Sequence, residues 1–147
     1  MEPAAVFVYG TLQQGRRNFH ASLQAGWTHS ERACILGYQL FSLPKDLARP
    51  YSYPAVIPGE GRVWGEVQWF LDLDKALERL DRLEGAAVPG AGGQSTFGNY
   101  EYLRVRTEAY LANGKPLPVW VYMYPGLEAV RRAQGILVPS GVWTSRD

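Results

Sequence analysis

The sequence predicts an α+β fold: a small, mostly antiparallel mixed β-barrel or curved sheet with flanking helices. Two observations lead there. Extended segments outnumber helical ones along the 147 residues. Consecutive extended segments are joined by turn-type residues, as hairpins require. The length makes a single domain, 1–147, the default, because two would be cramped.

An apolar run, Val6-Phe7-Val8-Tyr9, reads as a buried strand. Gly10 then allows a sharp turn, and Thr11 is placed to cap the next element. Arg17 to Leu23 fits a short helix. Ala33 to Leu43 reads as extended, weakened at Gly37. Four prolines between Pro44 and Pro58 argue for an irregular stretch holding a short edge segment, Tyr53 to Ile57. Gly61 opens the next strand, in which Val63, Gly65, Val67 and Trp69 share one side. The clearest helix runs from Asp72 or Asp74 to Glu84, with an aspartate at the N-cap and Gly85 at the C′ position. The Gly-rich segment 86–99 is a loop, either functional or disordered. Tyr100 to Leu111 and Val119 to Tyr124 form a hairpin around Asn113-Gly114. A last short helix spans Leu127 to Gln134, and the tail from Val138 to Trp143 is irregular.

Composition narrows the function. Hydrophobic residues at 46% and aromatics at 13% fill a core, and a net charge of +1 excludes a strongly basic nucleic-acid binder. No run approaches the ~18 apolar residues of a membrane span, and no targeting segment opens the chain, so a cytoplasmic protein is expected. Cys34 is the one cysteine and sits in an apolar stretch, which reads as a buried structural thiol. His20 and His29 are too far apart for a metal pair at helical spacing. No metal or other cofactor is expected, and the oligomeric state is not legible.

Two features carry chemistry. A strand ending in Tyr9-Gly10-Thr11-Leu12 directs freed N–H groups into one small volume, where they bind an anion or a carbonyl oxygen gaining negative charge. Glu84 is the second. At about 100° per residue it shares the stripe of Leu73, Ala76, Leu77, Leu80 and Leu83, while Asp74, Lys75, Glu78, Arg79, Asp81 and Arg82 take the other side or its border. Core-facing burial and the negative end of the helix dipole both raise a carboxyl pKa above about 4.3. A carboxyl so placed is a candidate proton shuttle. The alternative is a frayed last turn that bends Glu84 into water. Secondary candidates are Tyr122, which alternation groups with Trp120 and Tyr124, and Glu66 and Arg104, both readable as ordinary strand-face residues.

In order, Tyr9-Gly10-Thr11-Leu12, Asn18 and His20, Tyr53-Pro54-Ala55, Val63-Trp64-Gly65-Glu66-Val67, Leu80-Asp81-Arg82-Leu83-Glu84-Gly85, Tyr102-Leu103-Arg104 and Trp120-Val121-Tyr122 resemble the γ-glutamylcyclotransferase-like family. That family includes γ-glutamylamine cyclotransferases and the plant AIG2-like proteins. The resemblance covers nearly the whole chain and implies a mixed α/β fold with a small barrel. It implies that Tyr9, Gly10, Thr11 and Leu12 hold the substrate and that Glu84 is the acid/base. Three departures stand out: Phe19 separates Asn18 from His20, Val142 follows Ser140-Gly141 where an acidic residue is common, and the Gly-rich loop is long.

The implied reaction converts a γ-glutamyl amine or peptide into 5-oxoproline and a free amine or amino acid. The substrate's own α-amino group attacks its γ-carbonyl, so no serine, cysteine or metal nucleophile is required. The expected partner is therefore a small γ-glutamyl molecule, with no nucleic acid and no membrane. The rival expectation is a non-catalytic protein of the same fold that binds an amino-acid-like ligand.

Overall fold

The structure, a computed structural model, describes residues 2–45, 51–84, 86–87 and 102–144. Strand β1 (Ala5–Val8) is followed by helix α1 (Phe19–Gln24), strands β2 (Trp27–Leu43) and β3 (Tyr53–Phe70), and helix α2 (Leu73–Glu84). The two-residue β4 (Ala86–Ala87), then β5 (Tyr102–Leu111), β6 (Pro116–Met123), helix α3 (Leu127–Arg132) and the short β7 (Ile136–Leu137) complete the order. The strands are arranged β4-β5-β6-β1-β3-β2-β7, and β2 pairs back onto β5. That last pairing, Ala33 to Ile35 against Ala109 to Leu111, closes β5-β6-β1-β3-β2 into a five-stranded barrel. The barrel is mixed because β1 runs parallel to β6, and every other pair within it is antiparallel. No helix among the described residues is long and apolar enough to cross a membrane.

β1 is buried on both faces, as its unbroken apolar run requires. Ala5 and Phe7 face the barrel interior with Ile35, Val63, Val67, Val119 and Val121. Val6 and Val8 face outward, where Leu77 and Leu80 of α2 cover them. Asp72 accepts the Lys75 backbone N–H at 3.2 Å and so starts α2. The position of Gly85 and most of the 86–99 loop lie outside the described residues.

One expectation about the prolines is corrected. The segment expected over Tyr53 to Ile57 is extended, but it is not separate: it opens an 18-residue strand that runs on through Pro58 and Gly61 and pairs with β2. The reason is phase. Pro54 and Val56 aim their carbonyls away from β2, at the Tyr102 hydroxyl and the Tyr124 N–H. Pro58 falls in the same phase, so the β2 ladder never needs the missing proline donors. Likewise β6 begins at Pro116, where β1 has not yet joined it and β5 is its one partner. The tail is irregular as expected, but it is part of the core: Trp143 is 3% exposed and plugs the barrel interior. The Trp64 N–H donates to the Gly141 carbonyl at 2.8 Å, which ties the tail to β3.

β1 and β3 approach so closely at Gly65 that an added Cβ would collide with the Val8 carbonyl and the Phe7 ring. Backbone cannot yield as a flexible side chain does. Gly65→Ala is therefore expected to destabilise the protein by ~3 kcal/mol, read as a lowered denaturation midpoint in urea.

Candidate functional site

The chain leaves β1 at Val8 and enters a run of turns before α1. Gln13 N–H bonds the Gly10 carbonyl at 3.2 Å, and Asn18 N–H bonds the Thr11 carbonyl at 2.8 Å. Thr11 does not cap a helix, contrary to expectation. The next helix begins only at Phe19, after Asn18. Thr11 is instead held by Asn18, whose side-chain amide donates to the Thr11 hydroxyl at 2.9 Å. The hydroxyl keeps its own proton as a donor. Gly10 is required for a reason the sequence does not display: a Cβ there would strike the ring of Pro54. The N–H groups of Gly10, Thr11 and Leu12 donate to no other backbone group among the described residues. They form a set of donors that a ligand oxygen can use.

A buried glutamine fastens this turn to the barrel. Gln68 is fully buried; its amide donates to the Leu12 carbonyl at 2.9 Å and to Glu66 at 2.8 Å, and its oxygen accepts from Ser22 at 2.7 Å. Glu66 also accepts the Gln14 N–H at 2.9 Å. Glu66 is thus an anchor for the turn. Nothing in the sequence marks Gln68, because one polar residue on a strand normally faces water.

Tyr9, Gly10, Thr11, Leu12, Glu84 and Tyr122 all line one cavity of about 120 Å³. Asn18, Tyr51, Tyr53, Pro54, Leu83 and Tyr102 add to its wall. Glu84 reaches it because Leu77 and Leu80 dock α2 on Val6, Val8, Leu12 and Tyr122, which brings the last helical turn over the end of β1. Leu83, on the same stripe, stays 49% exposed at the cavity's edge. His20 is not part of the wall; its ring lies against the Arg17 carbonyl.

Two phenols sit deep in the wall. The Tyr9 hydroxyl donates to the Tyr122 carbonyl, and the Tyr122 hydroxyl donates to Asp81 at 2.7 Å. Burial pushes the Tyr9 pKa well above the usual tyrosine value; the Glu84 charge adds to this, and the Val56 backbone opposes it. Burial raises Tyr122 too, reinforced by the charge and hydrogen bond of Asp81 and by Glu84, with Arg104 opposing. Asp81 is a functional neighbour the helix pattern misses. It sits beside the apolar stripe, and it accepts both Tyr122 and the Arg104 Nε, the latter at 2.8 Å. Arg104 is therefore committed to Asp81 and to the face of Trp120, 4.4 Å from that ring's centroid. It is not a free anchor for a substrate carboxylate. Cys34 is buried, and His29 stacks on Trp69 with centroids 4.5 Å apart. No group of His, Cys, Asp and Glu among the described residues is arranged to hold a metal.

A sequence profile described as "Gamma-glutamyl cyclotransferase, AIG2-like" matches residues 6–145. The chain belongs to this family. It is 31% identical over 150 residues to the "Gamma-glutamylcyclotransferase family protein ytfP" of Citrobacter rodentium, covering 97% of this chain and 96% of that protein. A protein of the same name from Escherichia coli K12 is 31% identical over 144 residues, with 97% of each chain covered. Among solved structures, an AIG2-like protein from Mus musculus superposes with a TM-score of 0.62 at 22% identity, covering 98% of this chain and 90% of that one. That likeness shows the family's fold. A solution structure from Arabidopsis thaliana gives a TM-score of 0.61 at 27% identity, over 86% of this chain and 71% of that one.

Asp81→Asn removes the charge that holds Arg104 and Tyr122. With Asp81 22% exposed, the expected loss is ~1–2 kcal/mol, measured by urea denaturation. The raised phenols give a second expectation. Stability contributed by a group with an elevated folded pKa is present below its unfolded pKa, about 10, and is lost as pH rises beyond it. Denaturation midpoints should hold up to pH ~10 and then fall, and Tyr9→Phe, which removes one buried phenol, should make that alkaline fall shallower.

Proposed function

We propose that the protein is a γ-glutamyl cyclotransferase that releases 5-oxoproline from a γ-glutamyl amine or γ-glutamyl amino acid, with Glu84 as the acid/base. The observation that carries this reading is the shared cavity: Glu84 and the residues Gly10 to Leu12, whose N–H groups have no backbone acceptor among the described residues, line the same wall. Family membership supports the reaction class.

The reaction needs few groups. The substrate's α-nitrogen forms a bond to the carbon of its own γ-carbonyl, and the bond from that carbon to the departing nitrogen breaks. The α-ammonium starts with three hydrogens. One stays on the lactam nitrogen, and two end on the departing amine, which leaves as an ammonium ion. Glu84 relays both protons in turn, taking each from the attacking nitrogen and giving it to the leaving one. The N–H groups of Gly10, Thr11 and Leu12 receive either the γ-oxyanion or the α-carboxylate. Holding the chain folded over on itself supplies much of the acceleration, because the attack is intramolecular. Tyr122 and Tyr9, kept neutral by burial, shape the wall and do not compete for the proton.

Glu84→Gln should lower 5-oxoproline release by ~10²–10⁴-fold while leaving the circular dichroism spectrum and melting temperature close to wild type. Equal turnover by wild type and variant rejects Glu84 as the base. If wild type binds γ-glutamyl compounds yet never releases 5-oxoproline, the rival reading of a non-catalytic binding protein takes its place.

A further inference from the structure

The cyclotransferase reading, on which this inference rests, leaves the departing half of the substrate open. The cavity's volume of about 120 Å³ is below the ~300–1,000 Å³ of sites that engulf a drug-sized ligand. A two-part substrate therefore leaves one part at the mouth. Leu83, 49% exposed, and the half-buried Tyr51 mark that open side.

The charges of the site are arranged unevenly. The wall carries one carboxylate, Glu84, and no lysine or arginine among the described residues. Positive charge stands outside it. The Arg17 guanidinium lies 4.1 Å from the centroid of the Tyr51 ring, and the next residue, Asn18, is in the wall. Arg17 is exposed and makes no ion pair among the described residues. A guanidinium stacked on an aromatic face keeps its N–H edge available and loses less freedom on pairing, so it is suited to a carboxylate.

We propose that Arg17 sorts substrates by the charge of the departing half. A free carboxylate there, as in a γ-glutamyl amino acid, meets the guanidinium at the mouth. A neutral alkylamine neither gains nor loses. A departing half with a free ammonium, as in a γ-glutamyl polyamine, is repelled. The γ-glutamyl amino acids are thus the favoured class.

The test compares wild type with Arg17→Gln and Arg17→Lys on three substrates sharing the glutamyl half: γ-glutamylalanine, γ-glutamyl-ethylamide and γ-glutamylputrescine. The expected result for Arg17→Gln is a change of sign across the series. KM rises ~3- to 5-fold for γ-glutamylalanine, stays level for the ethylamide and falls for the putrescine compound, with kcat little changed. Arg17→Lys restores part of the preference. A uniform loss on all three overturns the proposal, because Arg17 would then read the shared glutamyl half or support the fold. No change on any of them overturns it as well. Affinities of the same compounds for Glu84→Gln and for Glu84→Gln/Arg17→Gln, measured by calorimetry, test the charge preference without turnover. If 5-oxoproline never forms while this preference holds, the catalytic reading fails and the role of Arg17 stands. If it forms and the preference is absent, the reverse is true.

Discussion

The site depends on the pairing of β1 between β3 and β6. This four-residue strand contributes residues to both cores, Ala5 and Phe7 to the barrel and Val6 and Val8 to the layer under α2. Its parallel register with β6 sets Phe7 beside Val121. Tyr9 therefore emerges next to Tyr122, and the hydroxyl of one closes onto the carbonyl of the other. The turn after Tyr9 cannot drift, because Gly10 packs on Pro54 and Gln68 holds the Leu12 carbonyl. Helix α2 is positioned by the same strand, through Leu77 and Leu80 against Val6 and Val8. One short strand thus sets both the turn of Gly10 to Leu12 and the helix end that carries Glu84 to the same cavity.

The two carboxylates of α2 that approach Tyr122 differ in what surrounds them. Asp81 has Arg104 and the Tyr122 hydroxyl as fixed partners, which is how a carboxylate is held in a structural role. Glu84, three residues on, belongs to the cavity wall. Its charge reaches both buried phenols and helps keep them protonated. The division of labour comes from helix geometry: a step of three residues turns the chain by about 300°, so neighbours on one face meet different surroundings.

The legible parts of the fold were those with a strong period or a one-sided chemistry. The unbroken run of β1, the leucine stripe of α2 and the Asn113-Gly114 turn each admit few readings, and the structure bears them out. What escaped depends on partners distant in sequence. Whether Pro54 interrupts a strand depends on which side its missing N–H would face, and that is set by β2. Gln68 looks like an outward strand residue until α1 supplies Ser22 and the turn supplies the Leu12 carbonyl. Asp81 lies at the border of the stripe, where helix period cannot decide between solvent and core; Tyr122 and Arg104 decide it. Leu83 follows the stripe yet stays half exposed, because it stands at the cavity's edge.

The wall also bears on how a single glutamate could suffice as acid and base. Apart from Glu84, the titratable groups lining the cavity among the described residues are phenols. Tyr9 and Tyr122 are moved further from neutrality by burial and by the nearby carboxylates, so neither exchanges a proton near pH 7. On the proposed reaction, each proton taken from the attacking nitrogen has one acceptor among the described residues of the wall, Glu84, which passes it on as the departing nitrogen becomes basic. On that proposal a second general acid would add nothing, since both nitrogens are bonded to the same carbon, that of the former γ-carbonyl, at the moment of exchange and one carboxylate can reach each in turn.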